Sequence, residues 1–374
     1  MQIPLNDLAR NYRRHQTVLE QEILAVFRSG RWLNGDRAAG FAAQFSAFVG
    51  TVHCIPVGNG SDAIEIVLRA LGQLGTPAAN EVVTVANAGG YTTTACRRIG
   101  LLPVYVDIVP DTLLMDIGEA AGAVNERTVA VVATHLFGKV VDIDGLRAAL
   151  DTAGHGDVPI LEDCAQAHGA TLRGRRVGGI GQVSAFSFFP TKNLGAFGDA
   201  GAVMTSDPAI AGQVARLHQY GWSTKYRVEL PGGQNSRIDE VQAGILTTLL
   251  PGLDDANAER LAIFDRYNAA AAPEVTLLPR PPGEVVHLAV ALCDDRDAFR
   301  AHLARRGIAT DIHYPILDSE QPAWRDLPQR GSEPGRLANS KAALARLVTL
   351  PCFVGMTEDE IDRVADALSG WGTT

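Results

Sequence analysis

The stretch Val183-Ser-Ala-Phe-Ser-Phe-Phe-Pro-Thr-Lys192-Asn-Leu-Gly-Ala-Phe-Gly-Asp-Ala-Gly201 joins an apolar strand to a glycine-rich loop through a proline-fixed turn. The strand delivers Ser187, and the turn delivers Lys192 into a run containing Gly195, Gly198 and Gly201. A lysine flanked by Phe188, Phe189 and Leu194 is not on an ordinary charged surface. Partial desolvation lowers an amine's pKa, and condensation with a carbonyl needs the neutral amine. A lone loop lysine is usually a solvated cation, yet this one has the most apolar and glycine-rich setting of the chain's few lysines.

Outward from this stretch, short apolar runs alternate with amphipathic segments, the pattern of βα units around a largely parallel sheet. Strands are predicted at Val82–Val85, Pro103–Asp107, Val129–Thr134, Val158–Asp163, Val183–Phe188 and Ala202–Thr205, and helices at Ala63–Leu74, Gly145–Ala153 and Ala209–Tyr220. A longer helical pattern over Ile238–Ala272 must break or kink at Pro251-Gly252, where the domain connection is placed. Beyond the linker Leu278-Pro-Arg-Pro-Pro-Gly283, a strand (Val286–Leu292), a helix (Arg296–Arg306), a strand (Ala309–Tyr314) and two final helices form a smaller lobe.

Two further motifs bear on chemistry. Gly58-Asn-Gly-Ser-Asp-Ala-Ile64 is a glycine-bearing turn running into a helix near Ser61. It reads either as an anion site at a helix N-terminus or as an ordinary turn in which Ser61 or Asp62 caps the helix. Pro159-Ile-Leu-Glu-Asp-Cys-Ala-Gln-Ala-His168 ends an apolar strand in a carboxylate pair, followed by an amide. Asp163 then points into the crevice at the carboxyl edge of the sheet, where a pyridinium nitrogen would keep it ionised, or it is a solvated strand-end acid.

Taken in chain order, the three motifs resemble the DegT/DnrJ/EryC1/StrS family of sugar aminotransferases, of fold type I among the pyridoxal phosphate enzymes. The likeness extends to Ile3–Leu8, Ser29–Gly35, Gly307–Pro315 and Thr349–Phe353, and is closest over Ser187-Phe-Phe-Pro-Thr-Lys-Asn-Leu-Gly195. It implies an α/β fold: a large domain over residues 1–250 with a mostly parallel seven-stranded sheet, and a smaller C-terminal α+β domain over 251–374, on which residues 1–30 also pack. It implies that Lys192 forms the Schiff base with pyridoxal 5'-phosphate and that Asp163 sits on the pyridine nitrogen. Gln166 would contact the ring hydroxyl, Tyr91 would stack on the ring, and Gly60, Ser61 and Ser187 would hold the phosphate. Asn235, in Gly233-Gln-Asn-Ser-Arg237, would reach the phosphate of a neighbouring subunit, making a homodimer with shared sites.

The implied reaction carries an amino group from L-glutamate, through the pyridoxamine phosphate form, to C3 or C4 of a nucleotide-linked keto-deoxysugar. A keto-cyclitol acceptor, a related sugar dehydratase and a non-catalytic regulator on the same fold are the alternatives. Dehydratase relatives carry histidine at the Lys192 position, which argues against that one.

His313 and Tyr314 are substrate-side candidates that packing or dimer contacts explain about as well. His168 stands close to Gln166, and Arg237 and Lys225-Tyr-Arg227 could meet a diphosphate. Gly89-Gly90, Cys164, Ala200 and Leu317-Asp-Ser-Glu320 depart from the family's usual pattern.

Composition closes off other classes. With 33 basic against 42 acidic residues the net charge is -9, so no nucleic-acid partner is expected. Five scattered cysteines form no CxxC pair, so neither a disulfide framework nor a metal site is expected. No apolar run approaches a membrane span and the N-terminus lacks a secretory pattern, so a cytoplasmic protein is expected. A dinucleotide-binding oxidoreductase fails for want of G-x-G-x-x-G after the first strand.

Overall fold

Short runs rich in β-branched residues, apolar on both faces, can only be buried between two layers of helices. The computed structural model describes residues 2–372. Its chain begins α1 (Leu8–Ser29), α2 (Asp36–Val49), β1 (His53–Val57), α3 (Gly60–Leu74), β2 (Glu81–Val85), α4 (Tyr91–Ile99), β3 (Leu102–Val106), α5 (Ile117–Ala123), β4 (Thr128–Thr134), α6 (Ile143–Thr152) and β5 (Ile160–Asp163). A small ribbon, β6 (Thr171–Leu172) and β7 (Arg175–Arg176), precedes β8 (Val183–Ser187), β9 (Gly201–Thr205), α7 (Pro208–Leu217), the hairpin β10 (Trp222–Thr224) and β11 (Arg227–Val228), and α8 (Glu240–Leu249). Then follow α9 (Leu253–Ala270), β12 (Val275–Leu277), β13 (Ala289–Cys293), α10 (Arg296–Arg305), α11 (Ala338–Arg346), β14 (Leu347–Leu350) and α12 (Glu358–Ser369).

The main sheet has seven strands in the order β1-β9-β8-β5-β4-β2-β3. It is the mostly parallel sheet that the resemblance implied, with only β9 running against its neighbours β1 and β8. Every residue of β4 is buried. On one face Ile64, Leu68 and Val214 of α3 and α7 pack on Val82 and Val132. On the other, Leu146 and Leu150 of α6 cover Val83 and Val131, while Phe41, Phe45 and Leu246 of α2 and α8 cover Phe186 and Phe188. Phe45 meets the rings of Phe186 and Phe188 edge-on, at 5.0 and 5.2 Å. That contact anchors the strand end from which the lysine loop departs.

The second sheet, β12-β13-β14, is antiparallel and shares a core with α9, α10 and α12. The N-terminus reaches it: Ile3 bridges to Ile308 and Arg10 pairs with Glu360, whereas α1 carries Leu19 into the core under the main sheet. The helical pattern breaks at Pro251 as expected, through a single 3-10 turn, Leu250–Gly252.

Two expectations fail locally, and one strand is unanticipated. The segment 309–314 is not a strand and keeps only a bridge between Asp311 and Thr349, because Tyr314 turns away toward Gln166. β1 escapes the sequence pattern because Pro56 interrupts its run, which an edge strand tolerates. The cap of α3 is neither Ser61 nor Asp62: the helix opens at Gly60, and Asn59 Oδ1 accepts the Asp62 N–H.

Candidate active site

The carboxyl ends of β5 and β8 and the N-terminus of α3 converge on a cavity of about 400 Å³. Asp163, Ser187, Lys192, Gly60, Ser61, Tyr91, His313 and Tyr314 all line it. Gln166 and Asn235 do not. Gln166 lies behind the wall, where Oε1 accepts the Phe137 N–H at 2.6 Å and Nε2 donates to the Tyr314 hydroxyl at 2.9 Å. Asn235 is exposed and bridges to Gln219 beside the β10–β11 hairpin.

Strand alternation separates the two carboxylates that end β5. Glu162 turns into the protein and accepts the Gly178, Ile180 and Gly181 amides as well as His135 Nε2. Burial pushes its carboxyl up, but the hydrogen bonds from His135 and the amides hold it below the usual value. Asp163 faces the cavity with sparser support, the Ala165 N–H at 3.1 Å and the Thr134 hydroxyl at 3.3 Å. Burial therefore raises its carboxyl, against these donors and the field of Lys192. A cation against Asp163 would reverse that shift, so the residue suits a protonated ring nitrogen.

Lys192 stands in a turn closed by its own N–H to the Phe189 carbonyl, and burial lowers its amine to about 8 despite the opposing charge of Asp163. Covalent uptake of an aldehyde by the apo-protein should accordingly speed up with pH and level off near 8, instead of climbing toward the usual lysine value of 10.5. Stopped-flow absorbance with pyridoxal phosphate across that range checks this, and a rate still rising well above pH 9 counts against a perturbed lysine (roughly one unit beyond the shifted value).

Gly60 is required by close approach, since a Cβ there would lie 2.5 Å from Cβ of Ser187. The helix end thus presents the Gly60 and Ser61 amides next to the Ser187 hydroxyl, an arrangement suited to an anion. Tyr91, nearly half exposed, meets the ring of Tyr314 edge-on at 6.1 Å.

His313 Nδ1 lies 2.9 Å from the Thr349 hydroxyl. His168 does not line the cavity: it is buried against Phe186 and Phe188, and burial lowers it to about 3. Sequence reasoning missed His287, which lines the cavity with Nδ1 3.0 Å from Asn193 Oδ1, and also Asn59, Thr191 and Asp199. His287 follows the linker in a plain apolar context with no signal to mark it. Asn59 stood in the glycine-bearing turn already singled out.

The family model of the DegT/DnrJ/EryC1/StrS aminotransferase family matches residues 14–369. The chain belongs to this family. It is 36% identical over 372 residues to the erythromycin biosynthesis sensory transduction protein EryC1 of Saccharopolyspora erythraea, covering 98% of this chain and 99% of the relative. It is 37% identical over 374 residues to the dTDP-3-amino-3,4,6-trideoxy-alpha-D-glucose transaminase of Streptomyces venezuelae, covering 99% and 96%. Among solved structures, S. venezuelae DesV in complex with a ketimine intermediate superposes with a TM-score of 0.90 at 36% identity, covering 99% of this chain and 98% of that one.

This aminotransferase therefore uses pyridoxal 5'-phosphate, and the residues present fit it. The raised Asp163 carboxyl suits the ring nitrogen, the Gly60 cradle suits the phosphate, and Lys192 is a desolvated amine lining the same cavity. Among the described residues no helix is long and apolar enough to cross a membrane.

Proposed function

We propose that this enzyme moves an amino group from L-glutamate to a keto group, at C3 or C4, of a nucleotide-linked deoxysugar. The observation that carries the reading is the meeting of Lys192, Asp163, Ser187 and the α3 N-terminus in one cavity. When bound, pyridoxal phosphate supplies the electron sink for the electrons of the donor's Cα–H bond. Lys192 would hold it covalently, and the Lys192 amine, when free, would take the proton from the donor carbon and give it back. Asp163 would keep a proton on the ring nitrogen. The Gly60 and Ser61 amides and the Ser187 hydroxyl would hold the phosphate, Tyr91 would cover the ring, and Gln166, behind the wall, would act at the ring hydroxyl side through Tyr314, to whose hydroxyl it donates.

A second cavity of about 540 Å³, lined by Gln219, Trp222, Lys225, Tyr226 and Arg237, supports the nucleotide part of the reading. Aromatic faces there can stack on a base, and the two cations can pair with a diphosphate. The relative at 37% identity is named as a transaminase of a dTDP-linked sugar, which supports the same substrate class.

Two measurements test the proposal. Glutamate alone should convert the visible spectrum of the holoenzyme, and mass spectrometry of a panel of nucleotide keto-sugars should find an aminated product that regenerates the starting spectrum. A spectrum untouched by glutamate and other amino donors refutes the aminotransferase reading for this chain, and amination of free keto-cyclitols alone refutes the nucleotide-sugar part. Because Asn235 stands away from its own chain's cavity, the sites are read as shared within a homodimer. Asn235→Ala should then loosen phosphate binding by about 10-fold, the effect of losing one charge-assisted hydrogen bond. Unchanged cofactor retention on dialysis would remove Asn235 from the site.

A further inference from the structure

α4 starts without a cap of its own. Its N-cap residue is Gly90, at φ 83°, with no side chain to bond the first amides. The cap comes instead from a segment 228 residues away. The Gly90 N–H donates to Asp318 Oδ1 at 2.6 Å, and the Thr93 hydroxyl donates to Oδ2 at 3.1 Å. Asp318 is fully buried, and its backbone is pinned as well: its N–H donates to the Ala86 carbonyl at 2.7 Å, and Trp324 Nε1 donates to its carbonyl. A carboxylate here also meets the positive end of the helix dipole.

The same segment carries Tyr314. A Cβ on Gly89 would come within 2.8 Å of the Tyr314 ring, so the ring occupies the space that a side chain at 89 would need. Tyr91, the first helical residue after Gly90, meets that ring at 79°. Two bare glycines and one buried carboxylate thus form the joint from which the Tyr91–Tyr314 wall of the cavity hangs. The unusual residues at 89–90 and at 318 are two halves of one contact.

We propose that Asp318 is a positioning residue for the cofactor, capping α4 from across the chain and so holding the Tyr91 ring against the cavity. This rests on the reading that Tyr91 covers the cofactor ring. Geometry makes the carboxylate's charge matter, since a charged acceptor binds an amide roughly twice as strongly as a neutral one.

Burial raises Asp318 to about 7. The titratable groups facing it, Cys96 on α4 and Tyr105 on β3, are both pushed up by burial, Cys96 to about 12, and the neighbouring Arg97 donates to the Pro328 carbonyl. Neither Cys96 nor Tyr105 changes charge near neutrality. A raised carboxyl makes this residue's contribution to global stability decline as pH rises from the ordinary carboxyl range to about 7, while the cap strengthens over the same interval. Positioning and bulk stability therefore move in opposite directions with pH.

The test compares holoenzymes carrying Asp318→Asn, Asp318→Leu, Tyr91→Ala and the double change Asp318→Leu/Tyr91→Ala. The readouts are cofactor retention on dialysis and the visible circular dichroism of the bound cofactor across pH 7, with far-ultraviolet dichroism as the folding control. Asp318→Leu should weaken retention by about 10-fold, Tyr91→Ala by a similar factor, and the double variant by scarcely more than either, because contacting residues in one network are non-additive. The wild-type cofactor dichroism should grow with pH through about 7, and Asp318→Asn should flatten that step.

If Tyr91→Ala loosens the cofactor but a folded Asp318→Leu retains it normally, the positioning role is overturned while the Tyr91 reading stands. If Tyr91→Ala itself has no effect, both fall. Should Asp318→Leu fail to fold, the near-isosteric Asn variant decides: a pH step identical to wild type overturns the proposal.

Discussion

Lys192→Ala is expected to leave a folded protein that takes up pyridoxal phosphate only reversibly and has lost turnover by at least about 10³-fold, the scale of removing a positioned proton carrier that is also the covalent anchor. The fold should survive because the amine makes no structural hydrogen bond; the loop is held by its backbone and by Asn193, which donates to Asn257 Oδ1 and the Val286 carbonyl. Removing a desolvated cation should even raise the thermal midpoint of the apo-protein, by its full amount below pH 8, where the folded-state amine is charged, with the gain fading as pH rises from about 8 toward the usual lysine value of 10.5. Steady-state assay with single-turnover spectra measures the loss. Activity within tenfold of wild type would place the chemistry elsewhere.

Asp163→Asn is expected to keep the shape of the cavity and remove the charge against the ring nitrogen. Removing one group that stabilises charge developing in the transition state costs about 10²–10³ in kcat, so turnover should fall by about that factor. The loss should appear in kcat, with KM for the acceptor little changed, because the charge matters most when electrons flow into the ring. Glu162→Gln is the contrasting variant. It should lower stability, because Glu162 is tied to His135 and to the amides of the 178–181 turn, and should affect chemistry only through folding. If the two variants behave alike in kcat, the assignment of Asp163 to the cofactor is wrong.

Much of this site is local in sequence, which explains what could be read from it. Ser187, Asp163 and Gly60 each stand at the end of a strand or the start of a helix whose apolar run is continuous, and Lys192 follows in the turn after β8, so the elements that aim them are visible one residue at a time. The parallel strands β2 to β5 and β8 were legible for the same reason. What escaped depends on partners far along the chain. The edge strand β1 carries Pro56 and is recognised only by its pairing with β9. The segment 309–314 has a strand-like composition, but the pull of Tyr314 toward Gln166 decides its path.

The cap at Gly90 is the clearest case. Gly89-Gly90 and the segment Leu317–Glu320 each stood out as departures from the family pattern, yet nothing local says that Asp318 completes the cap at Gly90, because the contact spans 228 residues. His287 likewise enters the cavity only because β13 and the loop before it close over the lysine loop through Asn193.

The central claim is that Lys192 is the residue that holds the cofactor. Borohydride reduction of the holoenzyme followed by peptide mass spectrometry tests it most directly. The account predicts a single pyridoxyl adduct on the peptide containing Ser187-Phe-Phe-Pro-Thr-Lys192, with Lys139, Lys225 and Lys341 unmodified. An adduct on any of those three, or a protein that yields none after loading with pyridoxal phosphate, would contradict it.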